Sequence, residues 1–347
     1  MRPHLILGNS SRRFSGVTST MLQVLPHQQK ACNVAVLGPH HVPEGTRVIG
    51  LFETISMLRL LSEDAPNIIF HARRNDEMIQ ALVLRWFSRG KLKIVFTSTA
   101  QRHHSRFTRW LIRKMDGVIS TCQAAASYLR KKPQIIIPHG VDPDTWYPAE
   151  SKTALWKELG LPGKKGIGIF GRVREQKGVD VLIDAAIPLL QQQPDWAVII
   201  VGEITQDQAS FFKAQQLKIN QAGLTQQFVF TDKQPFARIP VLFRAMSIIT
   251  ALSRNEGFGL TVLEAMSSGV PVIASTAGAW PEIINSNQAG RIVPIADIAA
   301  TQQALSALMA TEDTLDSLAI HARQRILEHF TVEQEATKLL AYFQALQ

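Results

Sequence analysis

The chain has 347 residues, 46% of them hydrophobic and 19% charged, with a formal net charge of +9. That length exceeds what one hydrophobic core usually organises and that composition is globular, so two domains are expected and a disordered or fibrous chain is excluded. Two cysteines, Cys32 and Cys122, exclude a disulfide framework or a cysteine-rich zinc site, and no run reaches the ~18 consecutive apolar residues of a membrane span.

The opening MRPHLILGNSSRRFSG has an apolar run too short for a secretory signal and reads as a first strand, which makes a cytoplasmic protein the expectation. Further strands are expected at NVAVLG, NIIFHA, LKIVFTS, GVIST and QIIIPHG, with helical patterns TSTMLQVLPHQQ, NDEMIQALVLRWFSR and FTRWLIRKM between them. A turn-rich stretch near residues 148–165 then precedes a second series: GIGIFG, WAVIIVGE, FVFTD, SIITA, VPVIAS and GRIVP. Alternating strands and helices predict parallel α/β sheets, and near-continuous apolar strands suit sheets covered on both faces. The expected division is an N-terminal domain over 1–155 and a C-terminal domain over 156–330, with a last helix over 331–347 packing back on the first.

Charge is unevenly placed. Residues 1–150 hold 20 Lys+Arg against 10 Asp+Glu, leaving 17 against 18 for the rest, so an anionic partner is expected at the N-terminal half. Arg102, Arg106, Arg109 and Arg113 are spaced four, three and four apart and predict one stripe on a helix, near Phe107, Trp110 and Leu111. Such a helix suits an anionic membrane face, the phosphates of an acceptor, or simply solvent.

Two familiar patterns carry little. Gly166, Gly168 and Gly171 match G-x-G-x-x-G but lie within a predicted strand, where a dinucleotide fingerprint needs a turn. Asp142 and Asp144 form an Asp-x-Asp in a turn, where capping is the simpler role. GRVREQKGVDVLIDAA is stronger: a strand ends at Gly171, Arg172 and Lys177 follow, and Gly178 opens an amphipathic helix, which is chemistry for a diphosphate. In SRNEGFGLTVLEAMSSGVPVIAS a strand runs into a loop holding Glu256, Gly257 and Gly259, and a helix carrying Glu264 starts near Leu260. The two carboxylates suit hydrogen bonds from ligand hydroxyls or, more plainly, caps and surface charge.

Together GRVREQKG, NEGFGLTVLEAMSSGVPVIAS and IPHGVDPDTWYP resemble the retaining glycosyltransferases of family 4. The family has the GT-B fold, two Rossmann-like, doubly wound α/β domains facing a central cleft. The resemblance spans nearly the whole chain and is tightest over residues 135–290. It implies that Arg172 and Lys177 hold a donor diphosphate, that Glu256 binds the transferred sugar and that Glu264 binds the nucleotide ribose. It further implies a cradle from Gly171, Gly257 and the backbone of Phe258, Gly259 and Leu260, and places Gly16 near the diphosphate. The family's usual second glycine of that first loop is Ser15 here. His71 matches the family's active-site histidine at the donor sugar, whereas FTSTAQRHHS departs from its usual histidine–glycine turn and assigns nothing to His103 or His104.

The stretch TSTAQRHHSRFTRWLIRKMDGVISTCQAAASYL also resembles mannosyltransferases of the lipopolysaccharide inner core, whose acceptor is the anionic Kdo-lipid A. The resemblance thus implies a metal-independent hexosyltransferase using GDP-mannose as co-substrate, with no cofactor and no nucleic-acid partner. Arg73, Arg102 and Arg106 become candidates for the acceptor, and a peripheral contact with the cytoplasmic face of the inner membrane is left open. Alternatives are a UDP-sugar enzyme transferring glucose or N-acetylglucosamine to another glycan or lipid, a hydrolase or epimerase of the same fold, and a non-catalytic nucleotide-sugar or nucleic-acid binder. Against the last, the chain has three tyrosines and no recognition-helix motif.

Overall fold

The computed structural model describes residues 2–347 and divides the chain into two compact units. One comprises the residues up to Gly140 together with Thr331–Gln347, and the other is Val141–Phe330. The division therefore falls about fifteen residues before the expected 155/156 boundary, and the short helix Lys152–Glu158 inside the turn-rich stretch belongs to the second unit.

The first unit carries β1 (Leu5–Gly8), α1 (Gly16–Ala31), β2 (Val34–Leu37), β3 (Val48–Ile49), α2 (Leu51–Arg59), β4 (Ile68–Ala72) and α3 (Asn75–Phe87). It continues with β5 (Leu92–Ser98), α4 (Arg106–Arg113), β6 (Gly117–Ser120), α5 (Gln123–Ser127) and β7 (Ile135–Ile136). The second unit begins with α6 (Lys152–Glu158), β8 (Lys165–Phe170), α7 (Val179–Leu190), β9 (Trp196–Val201), α8 (Ala209–Gln221), β10 (Phe228–Phe230) and α9 (Ile239–Ala245). Then come β11 (Ile248–Ala251), α10 (Leu260–Ser267), β12 (Val272–Ser275), α11 (Trp280–Ile284), β13 (Arg291–Val293), α12 (Ile298–Met309) and α13 (Glu312–His329). The last helix, α14 (Val332–Gln344), belongs to the first unit.

Each unit is one parallel sheet, in the orders β3-β2-β1-β4-β5-β6-β7 and β10-β9-β8-β11-β12-β13. Strand order reverses between β1 and β4 in the first sheet and between β8 and β11 in the second. Ligands of open α/β sheets bind outside the carboxyl ends of the strands at such reversals. Both candidate phosphate and sugar loops, after β8 and after β11, leave one reversal.

The two-residue period of a strand separates the faces. Leu5, Leu7, Ile69 and Val95 pack under α1 and α14 through Met21, Leu25, Leu339 and Phe343. Ile6, Ile68 and Phe70 point the other way, toward Leu58, Met78, Leu84 and Leu111 of α2, α3 and α4. The terminal helix is fixed electrostatically as well as by packing. Glu335 Oε2 accepts from the Gly140 amide at 2.8 Å, and Oε1 lies 2.8 Å from His139 Nδ1. A side chain at residue 140 would lie 2.3 Å from the Thr331 carbonyl oxygen, so glycine permits the docking.

Two local expectations change. The short β3 and the helix α2 were not marked by the sequence patterns. Arg102 also stands outside the helix that was to carry the arginine stripe: α4 starts at Arg106 because Ser105 caps it, its Oγ accepting from the Thr108 amide at 3.1 Å. Leu111 faces the core, leaving Arg106, Arg109 and Arg113 beside the exposed Phe107 and Trp110.

Candidate active site

In the second unit, β8 ends in the exposed Gly171, followed by the exposed Arg172 and by the 3-10 turn Glu175–Lys177 that leads into α7. β11 ends beside it and releases residues 252–259 toward α10. The two loops are stitched by backbone: the Arg254 amide donates to the Gln176 carbonyl at 2.8 Å, and Gln176 Nε2 to the Asn255 carbonyl at 2.6 Å. Arg254 clamps Asp180, on the first turn of α7, with both guanidinium nitrogens at 3.0 and 2.7 Å, which raises its own pKa.

That stitching brings Lys177 Nζ to 2.5 Å from Glu256 Oε2, although 79 residues separate them. Both side chains keep about a fifth of their surface exposed, 22% and 21%. Glu256 is further held by Ser253 Oγ at 3.3 Å and by the Gly257 amide at 3.2 Å. Its carboxylate is therefore aimed, and Lys177 is presented beside it. A diphosphate drawing on Lys177 competes with one anion already in place, while hydroxyl groups can add to Glu256 without displacing anything.

Gly259 opens α10 with φ +84°, and a Cβ there would stand 2.2 Å from Trp280 Nε1, which donates to the Gly259 carbonyl at 2.9 Å. The close approach of an indole and a left-handed backbone together require glycine. Phe258 is buried and fixes the loop, and Leu260 begins the helix. Glu264, one turn on, has part of its surface open, yet its carboxyl is desolvated enough to push its pKa up to about 7. No hydrogen bond or ion pair to that carboxyl is formed within the described chain, so it is a desolvated, partly open acceptor without a protein donor.

The discounted patterns have structural roles. Gly166 and Gly168 lie in β8, where a Cβ would strike Trp156 and Met246. Asp142 caps its own turn, accepting from the Asp144 amide at 3.0 Å and from Thr145 Oγ1 at 2.6 Å. Among the described residues, no group of three or more His, Cys, Asp or Glu is placed to hold a metal ion.

The strand reversal of the first unit is built differently. Gly16 is the first residue of α1, and the space its missing side chain would fill is open. Ser15, preceding it, accepts from Arg74 Nη2 at 3.0 Å. Arg74 also donates to Thr18 at 2.9 Å and to Glu77 Oε1 at 2.9 Å. Glu77 is fully buried, and its second oxygen accepts from the amides of Arg73 and Arg74 at 2.7 and 3.2 Å.

His71, at the end of β4, is 1% exposed, with Nε2 2.7 Å from Thr97 Oγ1 and its ring against Phe343. Burial, with Arg73 and His139 nearby, holds its pKa well below the usual histidine range, so the ring is neutral; Nδ1 is buried without a partner. Arg73 is partly exposed, but desolvation of its guanidinium lowers its pKa to about 10 against the opposing pull of Glu77 and Glu335. Its Nη1 is likewise buried without a partner. Arg102 and Arg106 are exposed. His104 Nε2 lies 3.2 Å from Ser98 Oγ, its pKa lowered by burial, Arg102 and Arg109, and His103 meets the ring of Tyr128.

Sequence reasoning missed Arg254, Asp180 and Trp280 in the second unit and Arg74, Glu77, His139 and Glu335 in the first. Asp180, Glu77 and Glu335 left a weak sequence signal, each an acid on the first turn of its helix, and the others left none.

The family described as Glycosyl transferases group 1 matches residues 164–311, which span both loops. The lipopolysaccharide core biosynthesis mannosyltransferase LpsB of Rhizobium meliloti (strain 1021) is 39% identical over 99% of this chain and 97% of its own length. LpcC of Rhizobium leguminosarum bv. viciae, described by the same activity, is 36% identical over 99% and 96%. In fold, the chain resembles Anabaena Alr3699/HepE, solved in complex with UDP and glucose, with a TM-score of 0.81 at 18% identity over 99% of this chain and 100% of that one.

Proposed function

The chain belongs to the group 1 glycosyl transferases and has their GT-B fold, and on that premise we propose that it moves mannose from GDP-mannose to a lipopolysaccharide inner-core acceptor, Kdo-lipid A, with retention at the anomeric carbon. The observation that carries the lipopolysaccharide reading is near end-to-end likeness to two mannosyltransferases described as acting in that core. The reading of the donor as a nucleotide sugar rests on the pairing of Lys177 and Glu256 at a strand reversal.

In this proposal Lys177 and Arg172 take the donor diphosphate, beside Gly171, whose strand-end backbone leaves room for it. Glu256 accepts hydroxyls of the transferred sugar, within a cradle completed by Gly257 and the backbone of Phe258, Gly259 and Leu260. Glu264 accepts the ribose hydroxyls, which supply the donors its carboxyl lacks. As the bond from the anomeric carbon to the phosphate oxygen breaks, the negative charge develops on the diphosphate, where two preorganised cations stabilise it without need of a metal ion. The acceptor oxygen forms the new bond on the same face, and its proton passes to the departing phosphate oxygen. His71 enters as a neutral hydrogen-bonding group, Gly16 as open backbone for phosphate, and Arg73, with Arg102 and Arg106, as cations for the acidic acceptor. The reaction is proposed to occur in the cytoplasm.

Calorimetric titration with GDP-mannose, UDP-glucose, UDP-N-acetylglucosamine and an ADP-sugar tests the donor. Binding of GDP-mannose is expected, followed by transfer to purified Kdo-lipid A with an α-linked product by NMR. Tight binding of a UDP-sugar and none of GDP-mannose overturns the donor assignment. Consumption of donor at the same rate with and without acceptor makes the protein a hydrolase.

A further inference from the structure

The buried face of α14 is apolar but for one residue. Val332, Ala336, Leu339 and Phe343 are all buried, and Glu335, 7% exposed, lies in line with Leu339 and Phe343 at a spacing of four. A carboxylate in such a stripe is costly unless its partners compensate it. A helix that only braced the sheet would not need one, because an apolar side chain of similar size would pack there as its neighbours do. The Gly140 amide and His139 Nδ1 each take one oxygen of Glu335, at 2.8 Å.

The same helix reaches the end of β4. Phe343 meets the His71 ring with 5.1 Å between centroids, and two charged or polar neighbours of that ring respond to Glu335. His139, bonded to Glu335, is close enough to His71 to help lower its pKa, and the Arg73 guanidinium feels Glu335 as an anion that favours its charged form against its own desolvation. Glu77 is spent elsewhere, on the amides of Arg73 and Arg74 and on the Arg74 guanidinium. Among the described residues neither acid forms an ion pair with the Arg73 guanidinium, and Arg73 Nη1 and His71 Nδ1 are both buried without partners. A cation in contact with its counter-ion must give up that bond to take a ligand, as Lys177 must. A cation balanced from a distance keeps both its charge and its N–H groups for the ligand.

We propose that Glu335 is a positioning residue for the acceptor site of the first unit: from α14 it balances Arg73 without touching it and holds His139 near His71, so that an acidic group of the acceptor meets a guanidinium whose hydrogen bonds are unspent. The inference rests on the reading of the acceptor as an acidic glycolipid and adds the residue that prepares the cation for it. The last helix thereby has a share in the site as well as in the core, Phe343 by contact with His71 and Glu335 by charge.

The test is steady-state transfer by the full chain, with donor and Kdo-lipid A varied separately, for the unsubstituted chain, Glu335→Gln, Arg73→Gln and the double variant. Glu335→Gln keeps the size of the side chain and an oxygen for the Gly140 amide while removing the charge. It should raise the acceptor KM about 10-fold, the scale of one charge acting through partly desolvated protein, and leave the donor KM unchanged. In the Arg73→Gln background the same substitution should add less than about twofold, because the cation it acts through is gone. Glu335→Asp keeps the charge and loses the packing, so it should raise the acceptor KM less than Glu335→Gln, and the same cycle run with it covers a failure of the glutamine variant to fold. Circular dichroism and thermal transitions establish folding. An unchanged acceptor KM in the folded variants, an equal rise in the Arg73→Gln background, or a matching rise in the donor KM overturns the positioning role. No transfer to Kdo-lipid A by the unsubstituted chain overturns the acceptor reading instead. Nitrogen NMR of the histidine rings then tests Glu335 without an acceptor: the His139 signals are expected to move in Glu335→Gln, and unmoved signals overturn the role.

Discussion

At the strand reversal of the first unit, Glu77 is fully buried and its oxygens are taken by the amides of Arg73 and Arg74 and by the Arg74 guanidinium. At the reversal of the second, Lys177 and Glu256 retain about a fifth of their exposure and Glu264 holds a desolvated carboxyl with no donor. The same topology therefore supports two kinds of polar site. The cluster around Glu77 satisfies itself and shapes a loop, leaving only His71 Nδ1 and Arg73 Nη1 beside it without partners, whereas the second site leaves its anions and cations open to a ligand. A charged cluster at a strand end is a binding site to the degree that its bonds are unfinished.

Substitutions separate the two kinds. Glu77→Ala strands Arg74 and two amides, so it should cost ~3–5 kcal/mol of stability in urea titration, as for other broken buried pairs. A loss below about 1 kcal/mol would mean that solvent replaces the carboxylate. Lys177→Ala should leave the thermal transition nearly unchanged and lower turnover roughly 10²- to 10³-fold, measured as sugar transfer at saturating donor. A normal rate would remove Lys177 from the reaction.

Glu264 predicts a pH dependence. Its folded pKa of about 7 exceeds the ordinary value of 4.5, so the folded protein binds the extra proton between those values. Stability therefore falls as pH rises through that window, by up to ~3 kcal/mol at 1.36 kcal/mol per unit. Ligand hydroxyls favour the ionised carboxyl, so nucleotide affinity should rise with pH, approaching tenfold per unit below pH 7 and flattening above it. In Glu264→Gln that slope should vanish, and a persistent slope would assign it elsewhere. The smallest effect is expected at Gly16, where a side chain meets nothing within 4 Å. Gly16→Ala should keep stability within about 0.5 kcal/mol while weakening nucleotide-sugar binding, and unaltered binding would remove the loop from the site.

The contrast also explains what could be read from the sequence. Lys177 and Glu256 each lie in a short motif with its own strand end, turn and helix start, so each was recognisable without the other. Their contact across 79 residues follows from the adjacency of β8 and β11. Glu335 and His139 meet across 196 residues, and no local pattern links them, so a buried pair there was invisible. β3 is two residues long and has no period to detect. Arg102 was counted into a helix on spacing alone, but the Ser105 cap, a shorter-range signal, decides where α4 begins.

The chain leaves the first unit at Gly140 and re-enters at Thr331, and the Val141 amide donates to the Phe330 carbonyl at 2.9 Å, so the departing and returning strands run side by side. During synthesis this imposes an order of events. Residues 141–330 can complete their own sheet and helices as soon as they emerge, while Leu5, Leu7, Ile69 and Val95 wait for the α14 residues Leu339 and Phe343 to cover them. The half of the protein made first is thus the half finished last, and it spends the translation of the other with one face of its sheet covered by α1 but still open where α14 docks.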